Sequence, residues 1–319
     1  MNFFKNIFRP IKYRHTVSIL ANIKKPPWGG ANQFFLALSN SLKDQEVKVL
    51  NNYAGSKTPN YILHAKWFNQ DILARQQFIN NCKTVIHRID GPISLVRGCK
   101  SHQFHDDECF EINKKYATKT VIQSKWSFDQ IKLQGYSPVN PVILSNSPDP
   151  SIFNNLNKIS FSDDRKIRLV ATSWSDNPLK GGPIYKWLDE NLDKNKFQFT
   201  FVGRTSEPLK NSTHIPATDS VTLASILNKN DIYITASKND PCSNALLEGL
   251  ACGLPALYLN SGAHSELVKK AGLPFNNVDE INSQLNKLIE NYLEYQKQID
   301  IPDLDIITTK WIELFESVE

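Results

Sequence analysis

The stretch that decides the fold spans residues 239–266 and reads NDPCSNALLEGLACGLPALYLNSGAHSE. Before it, residues 231–237 (DIYITAS) form a short apolar and β-branched run, which predicts a buried strand. Ser243 predicts the N-cap of a helix over 244–252, and residues 255–259 predict the next strand. A strand, a polar turn and a helix N-terminus together bind anions, because free backbone amides and the helix dipole favour a phosphate there.

Two acids flank this predicted anion site. Asp240 lies in the turn, and Glu248 lies in the helix eight positions later. Acids beside an anion site indicate a ligand that also offers hydroxyl groups. A sugar nucleotide offers both, since it has a diphosphate and the hydroxyls of ribose and sugar. An ordinary αβ unit with two solvated acids is the alternative interpretation.

The spacing of the two acids resembles the acid–seven–acid signature of the retaining GT-B glycosyltransferases of family 4, the glycosyl transferases group 1 type. That family usually has Glu at both places, whereas this chain has Asp240 at the first, one methylene shorter. The following Gly253, Leu254 and Pro255, and the later Glu266, also match the family pattern. The resemblance implies a GT-B fold with a ligand cleft between two domains.

Length and composition indicate a soluble globular chain of about two domains. The chain has 319 residues, of which 40% are hydrophobic and 22% are charged. Its net charge of +5 suits a polyanionic ligand such as a nucleotide diphosphate, or a weak attraction to anionic lipid. That charge is too small to indicate a nucleic-acid partner, and no cluster of Lys and Arg interleaved with aromatic residues occurs.

The cysteines indicate the compartment. They are scattered and form no CxxC motif: Cys82, Cys99, Cys109, Cys242 and Cys252. Reduced thiols in a cytoplasmic protein are therefore expected. No apolar run approaches the roughly 20 residues of a membrane span, and no signal peptide is evident. Residues 1–15 mix aromatic and basic side chains, which suits either an amphipathic segment in weak peripheral contact with a membrane or a leader packed on the first domain.

Strand-like and helix-like segments alternate in two halves of the chain, which predicts an α/β protein of two Rossmann-like domains with mostly parallel sheets. The polar residues 154–166 predict the linker. We therefore expect an N-terminal, acceptor-side domain over 1–155 and a C-terminal domain that binds the nucleotide sugar over 156–307. The resemblance further implies that the last helix, 308–319, packs back on the first domain.

A Gly29-Gly30 pair separates the first predicted strand, 16–23, from a helix predicted over 31–42. Glycine lets the backbone come close to a ligand, so this turn suits a phosphate, and a plain tight turn is the simpler alternative. The pair resembles the glycine-rich loop of family 4 enzymes. The resemblance implies that this loop closes over the donor phosphates.

Residues 84–87 (TVIH) predict a buried strand that ends in His87, followed by Arg88 and Asp90. Polar residues at the carboxyl end of a strand are where open α/β sheets bind ligands. The resemblance implies that a strand-end histidine faces the donor sugar; we choose His87 over His64, and a structural role is compatible with either. It also implies that the loop of Arg88 and Asp90 faces the acceptor.

Lys180 stands beside two glycines, before a helix predicted over 183–192, and a lysine there can neutralise a diphosphate. Family 4 enzymes have a lysine at this turn and usually an arginine about five residues earlier. Ser175 occupies that earlier place here. Arg204, at the end of the neighbouring predicted strand, is a candidate substitute, and Asn177 is another.

Two segments have a superficial likeness to metal sites. Residues 102–109 (HQFHDDEC) match no metal-ligand spacing, and an acidic, solvated loop or helix start is the better interpretation. Asp303 and Asp305 form a DxD motif, but three-residue motifs often arise by chance and this one lies near the C-terminus. We expect no metal and no cofactor, because a helix N-terminus and Lys180 can neutralise the charge.

The activity that the resemblance implies is transfer of a sugar from a nucleotide diphosphate sugar to an acceptor hydroxyl, with retention of configuration. The acceptor is a glycan, a lipid-linked or a small molecule. The expected catalytic residues are His87, Asp240 and Lys180. Donor binding is assigned to Gly29, Gly30, Arg204, Ser243, Asn244, Ala245 and Glu248. The acceptor side is Arg88 and Asp90.

Other functions stay open at this point. A non-catalytic sugar-nucleotide or glycan-binding subunit is compatible with the departures at Ser175 and Asp240. An epimerase or phosphorylase of the same fold needs acid–base residues or a pyridoxal lysine, which the sequence does not display. A dehydrogenase needs a GxGxxG motif, which the first turn lacks, and an acid after the second strand, where Leu50, Asn51 and Asn52 stand.

Overall fold

The structure, a computed structural model, describes residues 13–24 and 29–317. Most of the predicted leader, the loop residues 25–28 and the last two residues of the chain lie outside the described residues. Within the described part, no helix is both long enough and apolar enough to cross a membrane.

The first sheet has six parallel strands. They are β1 (His15–Leu20), β2 (Val47–Asn51), β3 (Asn60–His64), β4 (Thr84–Ile89), β5 (Lys119–Ile122) and β6 (Pro141–Ile143), in the order β2-β1-β3-β4-β5-β6. The helices around it are α1 (Gly30–Asp44), α2 (Gln76–Asn81), α3 (Ile93–Arg97), α4 (Gln103–Tyr116) and α5 (Lys125–Leu133). Every residue of β4 is buried, as expected for a central strand covered on both faces.

The second sheet repeats this architecture. Its strands are β7 (Ile167–Ser173), β8 (Phe197–Gly203), β9 (Thr213–Ile215), β10 (Ile232–Thr235), β11 (Ala256–Leu259) and β12 (Gly272–Phe275), in the order β12-β11-β10-β7-β8-β9. The helices are α6 (Gly182–Asn191), α7 (Ser220–Asn228), α8 (Asn244–Ala251), α9 (His264–Val268), α10 (Ile281–Glu290) and α11 (Tyr292–Lys297). Two Rossmann-like domains with parallel sheets are therefore confirmed.

Two helical segments are interrupted. Residues 70–81 form a 3₁₀ turn, Gln70–Ala74, followed by α2, because the extended residue Arg75 stands between them. Helices α10 and α11 are separated at Asn291. The short elements β9, β12, α3 and α9 are not predicted. Strand β12 contains Pro274 and lies at a sheet edge, where a missing amide is tolerated but the strand pattern is weak.

The C-terminal helix α12 (Leu304–Glu316) crosses back and packs against α1. Ile307, Trp311 and Phe315 are buried among the hydrophobic side chains of the first sheet. Burial of one large apolar side chain contributes about 1.5–3 kcal/mol. Helix α12 is thus part of the hydrophobic core beneath the first sheet.

The carboxyl ends of parallel strands share one edge of a sheet, and ligands bind there in open α/β folds. Helices α1 and α8, which follow the ends of β1 and β10, contact each other across the two domains. The strand-end loops of the two sheets therefore meet in one cleft, and the site lies there.

Candidate active site

Helix α8 begins at the predicted residue. The Ser243 hydroxyl accepts a hydrogen bond from the Leu246 amide at 3.3 Å, and the helix stops before Gly253, whose φ of 77° is left-handed. The first amides of any helix have no partner within the helix. Asn244 and Ala245, which carry two of them, are half-buried. This turn can therefore bind an anion with the help of the helix dipole.

The first turn of α1 lies against the first turn of α8. A Cβ atom on Gly30 would lie 2.3 Å from Asn244 Nδ2, so glycine is needed for this approach. Gly29 is the N-cap of α1. Because each helix N-terminus carries a partial positive charge, two of them side by side create a positive potential. The structure thus brings the predicted glycine turn and the predicted anion site together.

A lysine–aspartate pair lies beside these helix ends. Lys180, in the turn after β7, places its Nζ 2.8 Å from Asp240 Oδ2. The other carboxylate oxygen accepts a hydrogen bond from the Cys242 amide at 3.3 Å. Burial opposes ionisation of Asp240, but the Lys180 ammonium and the hydrogen bonds outweigh it, so the pKa of Asp240 lies below its usual value. Asp240 is therefore a carboxylate at neutral pH.

A buried histidine, His264, is linked to this pair through Ser237. The sequence alone did not predict it. His264 Nδ1 bonds to the Leu259 carbonyl at 2.9 Å, and its Nε2 lies 3.0 Å from the Ser237 hydroxyl. The Ser237 oxygen lies 3.4 Å from Asp240 Oδ2. Ser237 and His264 follow the adjacent strands β10 and β11, so polar residues at neighbouring strand ends were the signal available in the sequence.

Glu248 has the opposite environment. It lies on α8, is 4% exposed, and burial raises its pKa to about 8. Its side chain lines a cavity of about 300 Å³ between α1, the turn at 147–153, the start of α7 and α8. Ligand pockets typically have volumes of roughly 300–1,000 Å³. The cavity lies between the two domains and reaches the first turn of α8 at Asn244.

The family described as glycosyl transferases group 1 matches residues 185–291. That range contains Asp240, Glu248 and Glu266, the three acids that carry the resemblance in the sequence. Residues 185–291 are therefore similar to the glycosyl transferases group 1 family. None of the curated protein sequences matches it.

Solved GT-B structures share the fold over nearly the whole chain. Sucrose-phosphate synthase from Thermosynechococcus elongatus is 12% identical, with a TM-score of 0.72 and coverage of 96% of this chain and 99% of that one. HepE from Anabaena in complex with UDP-glucose is 13% identical, with a TM-score of 0.67 and coverage of 95% and 99%. The catalytic domain of starch synthase IV from Arabidopsis thaliana, bound to ADP and acarbose, is 10% identical, with a TM-score of 0.69 and coverage of 96% and 99%.

In this GT-B chain, the role expected of His87 needs correction. His87 is fully buried: its Nε2 donates to the Ala65 carbonyl at 2.7 Å, and its Nδ1 accepts from the Asn113 amide at 3.2 Å. Burial lowers its pKa to about 4. His64, at the end of β3, lies 3.1 Å from Asp90 and is the better-placed strand-end histidine. Side chains alternate across a strand, and the sequence did not show which face of β4 meets the cleft.

Arg88 also differs from its expected role. Its side chain is 1% exposed and its guanidinium lies over the Phe34 and Phe35 rings, at 5.1 and 5.0 Å. It pairs with Asp90 and donates to Asn146 Oδ1 at 3.2 Å. A buried group cannot contact an acceptor, so Arg88 holds other groups in place.

Asp90 and Asn146 extend this network to the donor side. Burial opposes ionisation of Asp90, but Arg88 and His64 outweigh it and hold its pKa well below its usual range. Asn146 Nδ2 donates to Asn244 Oδ1, at the start of α8, at 2.8 Å. Asp90 is only partly exposed, at 34% of its side chain. The loop of Arg88 and Asp90 thus connects the first sheet to the predicted diphosphate site.

Ser175, at the place where the family 4 pattern usually has an arginine, makes contacts within its own loop. The Ser175 hydroxyl accepts from the Asn177 amide at 3.2 Å. Asn177 caps the turn of Lys180 and donates to the Arg97 carbonyl of the other domain at 3.3 Å. Arg204 follows β8, beside the end of β7, and its side chain is exposed. Arg204 as the second phosphate cation therefore stays a prediction.

The DxD residues have structural partners. Asp303 caps α12 by accepting from the amides of Asp305 and Ile306, and Asp305 accepts from the Ser41 hydroxyl at 3.0 Å. Residues 102–109 lie at the start of α4, and Asp106 caps α3 by accepting from the Ser94 amide at 3.0 Å. Among the described residues, no group of three or more His, Cys, Asp or Glu side chains is arranged to hold a metal ion.

A carboxylate joins the two domains on the far side of the cleft. Glu266, on α9, accepts hydrogen bonds from the amides of Lys125 and Trp126, at 2.9 and 2.7 Å. Those amides open α5, where a carboxylate is favoured by the helix dipole. Asn239 donates to the Leu95 carbonyl of α3 at 3.4 Å. The turn before α8, through Asn239, and α9, through Glu266, therefore both bond to the N-terminal domain.

Proposed function

We propose that this chain transfers a sugar from a nucleoside diphosphate sugar to an acceptor hydroxyl, with retention of anomeric configuration. One observation carries the proposal: the N-termini of α1 and α8 converge beside the Lys180–Asp240 pair and the cavity of Glu248. The positive helix ends suit a diphosphate, while the two acids suit hydroxyl groups. The ligands named for HepE and starch synthase IV make UDP- and ADP-sugars the first donors to test.

The reaction places new negative charge at the helix ends. The bond between the anomeric carbon and the diphosphate oxygen breaks, and the acceptor oxygen bonds to the same carbon. The proton of the acceptor hydroxyl passes to the departing diphosphate. Free amides of α8 and the Lys180 ammonium stabilise this charge in the transition state more than in the ground state.

The two acids bind different hydroxyls in this proposal. Asp240 is ionised and accepts hydrogen bonds from the donor sugar, with Lys180 beside it. Glu248, with its pKa raised to about 8, is mostly protonated at pH 7 and both donates and accepts at the ribose diol. His64 replaces His87 as the histidine proposed to approach the donor sugar, because it lies at the strand end.

We propose that no metal ion and no cofactor take part. The support is that Asp303 and Asp305 are engaged at the cap of α12, and that Lys180 can neutralise the diphosphate. Activity should therefore survive EDTA; complete loss that Mn²⁺ restores would contradict this part of the proposal. We place the reaction in the cytoplasm, since all five cysteines are free thiols, with a glycan or other hydroxyl acceptor and weak membrane contact as an option for residues 1–15.

The test uses the full chain and two measurements. Thermal unfolding is followed with UDP, ADP and GDP; a ligand at 100 times its dissociation constant adds about 2.7 kcal/mol to stability. Slow hydrolysis of the matching sugar nucleotide without acceptor is then measured. Binding with hydrolysis supports the transferase. Binding without any turnover supports the non-catalytic subunit instead, and no binding by any of the three contradicts the proposal.

A further inference from the structure

Four rings form a cluster on the surface of the N-terminal domain, and we call it the ring cluster: Trp67, His102, Phe104 and His105. The ring centroid of His105 lies 3.8 Å from that of Phe104 and 5.5 Å from those of Trp67 and His102. Phe104 is 57% exposed. Three of the rings belong to the HQFHDDEC stretch, for which the proposed reaction has no use. The other three rings are half-buried, so the cluster presents flat apolar faces partly to solvent.

Polar groups border the ring cluster. Lys66 donates to His105 Nδ1 at 2.8 Å and forms an ion pair with Glu108. Its ammonium also lies 5.7 Å from the Trp67 ring centroid. Gln70 Nε2 donates to the other Glu108 oxygen at 2.6 Å. A carboxylate, an amide and an ammonium are therefore held in fixed positions next to flat apolar faces.

The ring cluster lies at the ligand-binding edge of the first sheet. Trp67 follows the end of β3, and its amide donates to the His64 carbonyl at 2.9 Å. Its own carbonyl accepts from the Asn22 amide, just after β1, at 2.8 Å. The neighbouring helix α3 contacts the other domain through Leu95 and Arg97. The cluster therefore borders the cleft on the side opposite the donor residues.

We propose that the ring cluster binds a pyranose ring of the acceptor glycan, an inference that rests on the proposed function. A sugar ring has apolar C–H faces that pack on aromatic rings, and hydroxyls that bond to groups such as Glu108 and Gln70. The ion pair of Lys66 and Glu108 leaves no net charge from these two groups beside the rings, which suits an uncharged sugar.

Ligand-detected NMR tests the proposal with methyl glycosides of glucose, galactose, mannose and N-acetylglucosamine as probes. Saturation transfer from protein to probe is expected for at least one of them. Phe104→Ala and Trp67→Ala should weaken that probe by about fivefold or more, the loss expected when one aromatic contact is removed. The matched control is Tyr13→Ala, since Tyr13 is 45% exposed on the same domain and precedes the amino end of β1, at the opposite edge of the sheet. It should leave the signal unchanged.

Two results would overturn the proposal: no probe receives saturation, or the signal survives in both ring variants. Thermal melting of each variant shows that the fold persists, and Phe104 serves as the safer site because it is exposed. Nucleotide binding is measured in parallel on the same samples. If UDP, ADP or GDP binds but the ring variants behave as wild type, the ring cluster fails and the transferase stands. If sugar binding depends on the rings but no nucleotide binds, the proposed transferase function is contradicted while sugar binding at the ring cluster stands.

Discussion

The turn before α8 and the middle of α8 each hold one buried acid, and the two acids behave in opposite ways. Asp240 is buried beside the Lys180 ammonium, and its pKa lies below the usual value. Glu248 is as deeply buried, but desolvation is what shifts its pKa, upward to about 8. Burial disfavours a carboxylate in both places, so the neighbouring cation decides the difference.

This contrast separates two tasks within one sequence motif. A fixed carboxylate paired with a lysine suits the end of the donor where charge develops. A neutral carboxylic acid that lines a cavity suits an uncharged diol. Equal spacing in the sequence therefore does not mean equal chemistry, because the environment determines the protonation state of each acid.

The largest effect is expected at Lys180. Lys180→Ala should lower turnover by about 10²–10³-fold, the usual cost of losing one group that stabilises transition-state charge, and should weaken donor binding much less. It should also raise the pKa of Asp240, which removes the contrast with Glu248. The measurement is turnover and donor affinity for Lys180→Ala, Arg204→Ala and the double variant.

The matched control is Lys186→Ala. Lys186 Nζ lies 3.4 Å from Glu207 Oε2 in a surface ion pair, and neither residue belongs to the N-terminus of α1 or α8. Surface pairs of this kind contribute only about 0–1 kcal/mol. Near-normal turnover for Lys180→Ala, both alone and combined with Arg204→Ala, would show that the phosphate site lies on another loop.

The second effect concerns Glu248→Gln, which should change affinity and stability in opposite directions. Because Glu248 is mostly neutral at pH 7, loss of one of its hydrogen bonds costs about 0.5–1.5 kcal/mol, or roughly 2- to 13-fold in nucleotide affinity. The folded protein keeps a proton on Glu248 that the unfolded chain loses between pH 4.5 and about 8. Stability therefore falls as pH rises through that window, and the glutamine variant should be more stable than wild type near pH 8.

Isothermal titration with the nucleoside diphosphate and thermal unfolding from pH 5 to 8.5 measure the two effects. Glu190→Gln, on an exposed part of α6, is the control and should change neither. If nucleotide affinity is unaltered in Glu248→Gln, Glu248 does not contact the ribose.

A third and smaller effect is expected at the contact between the two helix ends. Gly30→Ala places a Cβ atom 2.3 Å from Asn244 Nδ2, so the Asn244 side chain or the two helices must shift. Diphosphate affinity should fall by about two- to fivefold, because a charge at a helix end gains roughly 0.3–1 kcal/mol and the effect decays within one turn. In an Asn244→Ala background the nearest atom is removed, and the loss caused by Gly30→Ala should be smaller. Equal losses in both backgrounds would argue against this steric contact.

The smallest effect is expected at Glu266. Glu266→Gln keeps one acceptor oxygen but removes the charge at the start of α5, which is worth about 0.3–1 kcal/mol. Hydrogen exchange of the Lys125 and Trp126 amides should become about two- to fivefold faster. Glu313→Gln, an exposed acid on α12, should leave those amides unchanged. Unchanged exchange in Glu266→Gln would mean that this contact does not hold the domains together.

Local patterns predicted much of the fold because they depend on neighbours in the chain. The β-branched run before Asp240, the cap at Ser243 and the stop at Gly253 all appear where they were expected. The edge strand β12, with its Pro274, was missed because little in its own sequence favours a strand. The motif around Glu248 was also predicted from the sequence, since its spacing places Asp240 and Glu248 near one helix.

The sequence by itself determined the two βα series, the helix N-terminus at Ser243 and the lysine turn at Lys180, because hydrophobic periodicity and capping act over a few residues. Only the tertiary structure decided that His87 is fully buried, with both ring nitrogens bonded inside the first domain, and that Arg88 is buried. Which face of a central strand meets the partner domain depends on how the sheets and helices pack. No run of residues encodes that choice locally, since both faces of such a strand are covered.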